Sequence, residues 1–140
     1  MVIVGVLLAT RLLAEGESRP IAWRDLTAQV GPLRITDREN RLFQDEEELA
    51  RYLAQAKAGG AAPRVDFSQR QLLLVSPGPR SSTGYEVEVL SARDEDGEIT
   101  VRVREKTPKL DDRVDARVTH PYRLLSLPAG QEVTVDWLGR

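Results

Sequence analysis

Apolar residues along this chain follow three rhythms, and each predicts a different kind of element. In FQDEEELARYLAQAKAGG, Leu49, Tyr52, Leu53 and Ala56 recur at helical spacing, which predicts a helix over Asp45 to Lys57. Asp45 or Gln44 stands near its N-cap, acids fill the first turn, Lys57 sits in the last, and Gly59-Gly60 would end it. Phe43 is placed to pack where the chain approaches this helix. The second rhythm has a period of two. Tyr85, Val87 and Val89 alternate with Glu86 and Glu88, while Ile99, Val101 and Val103 alternate with Thr100, Arg102 and Arg104. Asp96-Gly97 between them is a tight-turn signal, so the stretch reads as a hairpin with one apolar and one charged face. Acids and arginines on the charged face can pair across strands, each pair contributing a few tenths of a kcal/mol.

The third rhythm is no rhythm at all. Gln71 to Ser76 is nearly continuously apolar and predicts a buried strand. Alternation returns at Val114, Ala116 and Val118, is interrupted by His120-Pro121, and resumes from Tyr122 to Leu127. After a turn at Pro128-Ala129-Gly130, Val133, Val135 and Trp137 alternate in a last strand, with Trp137 in phase with the core. Weaker strand signals lie around Ile21 to Gln29 and Leu33 to Thr36, broken by Gly31-Pro32; Trp23 has too little context to place. Together these elements predict an α+β fold, mainly antiparallel β, arranged as a sandwich or half-open barrel-like sheet with one packed helix at about 45–57.

Composition narrows the function classes. The chain has 140 residues, enough for a real core without disulfides or metals, and it contains no cysteine. Twenty basic and 22 acidic residues are interspersed, giving a net charge of −2, with no basic block to follow a phosphate backbone. Nucleic acid is therefore not the expected partner. The opening MVIVGVLLATRLLA is too short to be a membrane-spanning helix, which needs about 20 apolar residues. It resembles the core of a signal peptide, with Ala14 as a small cleavage-side residue. The expectation is a clipped signal peptide or membrane anchor over residues 1–18, followed by one domain over 19–140. A buried first strand, VIVGVLL, is the alternative.

Candidate chemistry concentrates in PGPRSSTGYEVEVL. Pro77 and Pro79 stiffen the loop, and Ser81, Ser82, Thr83 and Gly84 follow before Tyr85 begins the strand. An architectural account uses Gly84 for a bulge or close backbone approach, Ser82 and Thr83 to tie nearby backbone, and Tyr85 as a core residue. A functional account uses the same stiffness, since a rigid loop loses little entropy on entering a groove, with Arg80 as an orientable charge. Pro121 marks an edge or bend, and Tyr122 either caps the core beside Tyr85 or is displayed. A hydrolase would have to pair Ser81 or Ser82 with His120, the only histidine, and there is no Gly-x-Ser-x-Gly elbow. The acids at Asp94, Glu95, Asp96 and Glu98, and at Asp111, Asp112 and Asp115, lack calcium-loop spacing. No enzyme, metal or cofactor is expected.

The order of several short motifs adds to this reading. Asp66-Phe67-Ser68, Thr83-Gly84-Tyr85, Pro108, Thr119-His120-Pro121-Tyr122 and Pro128 occur in a sequence that resembles the PrcB family of protease-complex subunits, across roughly Val65 to Trp137. The resemblance implies a bacterial, extracytoplasmic, non-catalytic accessory domain, secreted or membrane-anchored, whose partner is a secreted protease or its complex. A more distant likeness links Thr83-Gly84-Tyr85 to chagasin-like cysteine-protease inhibitors, although their Asn-Pro start is missing and His120-Pro121-Tyr122 only echoes their second loop. That likeness implies inhibition through Arg80–Tyr85. The candidate partner-binding set is Arg80, Ser81, Ser82, Thr83, Gly84, Tyr85, Pro121 and Tyr122.

Overall fold

The computed structural model describes residues 18–139, so the proposed leader or first strand lies outside the described residues. In chain order the elements are β1 (Ser18–Pro20), β2 (Arg24–Asp25), α1 (Thr27–Val30), β3 (Glu39–Phe43) and α2 (Glu46–Gln55). These are followed by β4 (Arg70–Ser76), β5 (Glu86–Glu95), β6 (Glu98–Lys106), β7 (Arg123–Pro128) and β8 (Val133–Trp137). They form two four-stranded sheets, an inner one ordered β2-β7-β4-β3 and an outer one ordered β1-β5-β6-β8. The result is a mainly antiparallel α+β sandwich with a packed helix, as the apolar pattern predicts.

The inner sheet explains the continuous run. Leu72, Leu73, Leu74 and Val75 are all fully buried because both faces of β4 are covered. Leu72 and Leu74 join Phe43, Leu49, Tyr52 and Leu53 in a cluster on the helix side, while Leu73 and Val75 join Ile99, Val101, Val103, Leu125 and Leu127 between the sheets. Each such side chain contributes about 1.5–3 kcal/mol by leaving water. The outer sheet explains the alternation. Ile99, Val101 and Val103 are 0% exposed, and opposite them on the wet face Arg104 meets Glu88 at 3.0 Å. Arg102 instead reaches Glu95 at 2.8 Å, because a register shift at Leu90 displaces the far half of β5. Asp96 and Gly97 close the hairpin, both with positive φ (56° and 83°), as a two-residue turn requires.

Helix α2 starts where its cap predicts: the Asp45 carboxylate accepts from the Glu48 amide at 2.8 Å, and Glu46, Glu47 and Glu48 fill the first turn. It ends earlier than its glycines suggest. Ala56 is the C-cap, and Lys57 itself takes left-handed backbone with φ 53°. Gly60 does other work, since a Cβ there would lie 2.4 Å from the Val30 carbonyl oxygen.

Four expectations need correcting. The 21–29 signal resolves into β2 and the short helix α1 rather than one strand. Leu33 and Ile35 are buried while Arg34 and Thr36 are exposed, yet the segment pairs with no strand; it packs under α2, and the Arg34 amide donates to Ala56 O at 2.7 Å. Val114, Ala116 and Val118 form no strand, and Val118 is 66% exposed. Finally, β8 runs parallel to β6, because the chain crosses through β7 of the inner sheet before returning.

Candidate functional site

Two loops meet at one end of the sandwich: 77–85, leaving β4 for β5, and 107–122, leaving β6 for β7. The first is fastened at its base. Ser76 Oγ donates to the Pro121 carbonyl at 2.8 Å and accepts from the Gly78 amide at 3.1 Å, so the strand end is tied to the second loop before the first has begun. Arg80 and Thr119 then exchange backbone hydrogen bonds of 2.9 and 2.8 Å. Further out, Thr119 Oγ1 donates to Ser82 O at 2.8 Å. The Thr83 amide donates to Asp115 O at 3.1 Å, and the Asp115 amide returns a bond to Thr83 Oγ1 at 2.9 Å. Gly84 completes the brace: its φ is 97°, and a Cβ would sit 2.9 Å from Pro108 Cβ and 3.1 Å from Val114 Cγ1. Only glycine meets both demands without strain.

This geometry places each candidate residue. Arg80 is not an orientable charge, because Nε and Nη2 grip the two Glu105 oxygens at 2.6 and 2.8 Å. That bidentate contact is the main reason its guanidinium is held more basic than usual. Its guanidinium also lies 5.8 Å from the ring centre of half-buried Tyr85. Ser81 and Gly84 are exposed, while the Ser82 hydroxyl donates to Thr83 O at 3.0 Å. Pro121 offers its carbonyl inward to Ser76. Tyr122 is buried rather than displayed: its hydroxyl donates to Gly31 O and to Thr27 O, and burial pushes its phenol up to about 12, with the charge of Asp25 adding to the effect. Tyr122 caps the helix-side cluster, not the surface near Tyr85.

His120 hydrogen-bonds through Nδ1 to the Ile35 carbonyl at 2.7 Å, and Ser82 is engaged with its own neighbour, so these groups are not in contact as a Ser–His pair. Asp94 is occupied in the hairpin, accepting from the Gly97 amide at 2.9 Å and from Gln131 Nε2 at 3.1 Å. Among the described residues no group of three acidic or histidine side chains is arranged to hold a metal ion.

The second loop holds candidates that periodicity misassigns. The Lys109 amide donates to Asp112 Oδ2 at 2.7 Å and the Asp112 amide to Lys109 O at 3.0 Å, which closes a turn around Leu110. Leu110 at its tip is fully exposed, and Val114 and Val118 are 42% and 66% exposed. A lone Leu between Pro108-Lys109 and Asp111-Asp112 is the sequence signal that could have marked it, since no strand or helix period includes it.

A scan of family models matches residues 72–128 to the family described as PrcB C-terminal. The matched stretch runs from β4 to the end of β7 and contains both loops. Comparisons with curated proteins and with solved structures found no match. The sandwich exceeds the match on both sides: β2 and β3 complete the inner sheet, and β1 and β8 the outer one. Within that larger fold, the stretch similar to the PrcB C-terminal family spans β4 to β7 and the two braced loops.

Proposed function

We propose that this chain is a non-catalytic, extracytoplasmic protein-binding domain that works beside a secreted protease, and that it binds through the 107–118 loop held up by Arg80–Tyr85. One observation carries the placement: Leu110 stands fully exposed on a turn closed by two hydrogen bonds, with Val114 and Val118 exposed behind it. A structureless loop of this length in a compact fold is commonly a functional one. Because the neighbouring loop already fixes its shape, a partner covering these side chains gains roughly 25 cal/mol per Å² of apolar area without first ordering the backbone. The PrcB C-terminal match supports association with a protease complex in an accessory role.

The test is recovery of partners from the envelope fraction of the source organism. The wild type should retain a protease or its complex. The Leu110→Asp/Val118→Asp double variant should lose about tenfold or more of it, while melting at a similar temperature. Equal recovery by both forms would remove the loop from the interface. Potent inhibition of a papain-like enzyme by the purified chain would move the reading to a chagasin-like inhibitor. An esterase or peptidase activity abolished by His120→Ala would overturn the non-catalytic reading. A reporter fused to residues 1–18 tests export, and retention of the reporter in the cytoplasm would count against it.

A further inference from the structure

The chain's only histidine has no part in the reading above, yet it lines a cleft of about 520 Å³ bordered by Pro32, Arg34, Lys57, Gly59 and Val118. Three separate segments build this cleft, and each is held by a hydrogen bond to a backbone carbonyl. Arg34 is pinned through its amide to Ala56 O, Gly59 through its amide to Pro32 O at 3.4 Å, and His120 through its ring to Ile35 O. Since a carbonyl only accepts, Nδ1 of His120 carries the proton, and Nε2 remains for another partner.

The cleft is cationic in a chain whose net charge is −2. Among the described residues Arg41, Arg80, Arg102, Arg104 and Arg123 each have a carboxylate within 4.0 Å, and the other ten arginines have none. Arg34 and Lys57 have no ion-pair partner among the described residues, and no carboxylate lines the cleft. At the end of helix α2 the Leu53, Ala54 and Ala56 carbonyls accept from the amides of Ala58, Lys57 and Arg34. Exposed Val118 and Pro32 add an apolar border.

We infer that this cleft receives an acidic, extended peptide segment of a protein partner, its carboxylates on Arg34 and Lys57 and a neighbouring aliphatic side chain against Val118 and Pro32. The inference rests on the protein-binding reading through Val118, which belongs to both surfaces, and extends it to two charges on other segments. It names the partner's chemistry: acidic residues beside an aliphatic one.

The test uses fluorescein-labelled acetyl-Leu-Glu-Asp-Glu-Leu amide and its Gln/Asn counterpart, titrated with the purified chain by fluorescence polarisation. The acidic peptide should bind about tenfold more tightly than the neutral one, with an advantage that shrinks as salt is raised. Arg34→Gln/Lys57→Gln should abolish the difference, whereas Arg19→Gln, which removes an exposed charge on β1 outside the cleft, should leave it unchanged. A second measurement does not depend on the variants: the acidic peptide should shift the amide resonances of Arg34, Lys57 and His120 in the wild type. Equal binding of the two peptides, shifts confined to other residues, or equally tight binding of an oligothymidylate of matched charge would each overturn the inference. If the loop variant loses its partner while the acidic peptide never binds, the protein-binding reading stands and the cleft falls; peptide binding with no effect of the loop variant gives the reverse.

Discussion

Strand β4 and the 107–118 loop are built from the same aliphatic side chains and treat them in opposite ways. Leu72, Leu73, Leu74 and Val75 are 0–1% exposed, whereas Leu110, Val114 and Val118 stand in solvent. Poor packing does not account for the difference, because the loop is fastened by hydrogen bonds between Thr83 and Asp115 and, just past its end, between Thr119 and both Arg80 and Ser82. On the proposed reading, such a segment presents its outward aliphatic residues to a partner. Substitutions in β4 should therefore register in stability, and those at the loop tip in binding.

The largest effect should come from the core. Leu73→Ala removes a side chain buried between the sheets and should cost about 2–5 kcal/mol, read as a fall in urea midpoint with little change in slope. A loss below about 1 kcal/mol would show that the two sheets are less tightly packed against each other than the burial implies. Next comes the brace. Gly84→Ala puts a side chain at φ 97° and against Pro108, and should cost about 1–3 kcal/mol. Unchanged stability would mean that the two loops are free to part.

The third prediction concerns alkali. Folding raises the Tyr122 phenol from its ordinary value near 10 to about 12 through burial, so the neutral ring stabilises the fold fully below about pH 10. That contribution is lost as pH rises through 12. Tyr52 is shifted in the same direction, by burial first and then by its hydrogen bond to Glu39, so Tyr122→Phe should remove only part of the fall. Denaturation at pH 7, 9.5 and 11.5 measures it, and a wild type equally stable at all three would refute the burial of the tyrosines. The same change deletes the bonds to Gly31 and Thr27, worth about 0.5–1.5 kcal/mol at neutral pH. The smallest effect closes the comparison: Leu110→Ser should alter stability by less than about 0.5 kcal/mol while weakening partner binding. A clear loss of stability would place Leu110 in the packing after all.

How far each element could be read depends on which physical quantity its pattern reports. Burial on both faces leaves a continuous run, so β4 was legible from Gln71 to Ser76. Burial on one face leaves alternation, so the β5–β6 hairpin was legible, and Asp96-Gly97 fixed its turn. Helix α2 combined a cap, a first turn of acids and one apolar stripe. Alternation alone did not report hydrogen bonding. Leu33 and Ile35 alternate because one side of that segment faces the core, yet its backbone pairs with a helix end instead of a strand. Val114 and Val118 alternate and face water. In the candidate site, the Thr83-Gly84-Tyr85 motif was visible, but the commitment of Arg80 to Glu105 and the choice between a buried and a displayed Tyr122 were not.

Local chemistry in the sequence by itself determined the elements whose partners lie nearby: the hairpin, the capped helix, the central strand and the stiff loop before β5. Tertiary structure alone decided the parallel return of β8 beside β6, the brace between Thr83 and Asp115, and the meeting of Arg34, Lys57 and His120 in one cleft. The physical reason is separation along the chain. A side chain's tendency to be buried is an individual property, but its contact across 30 or 80 residues exists only once both sheets have closed.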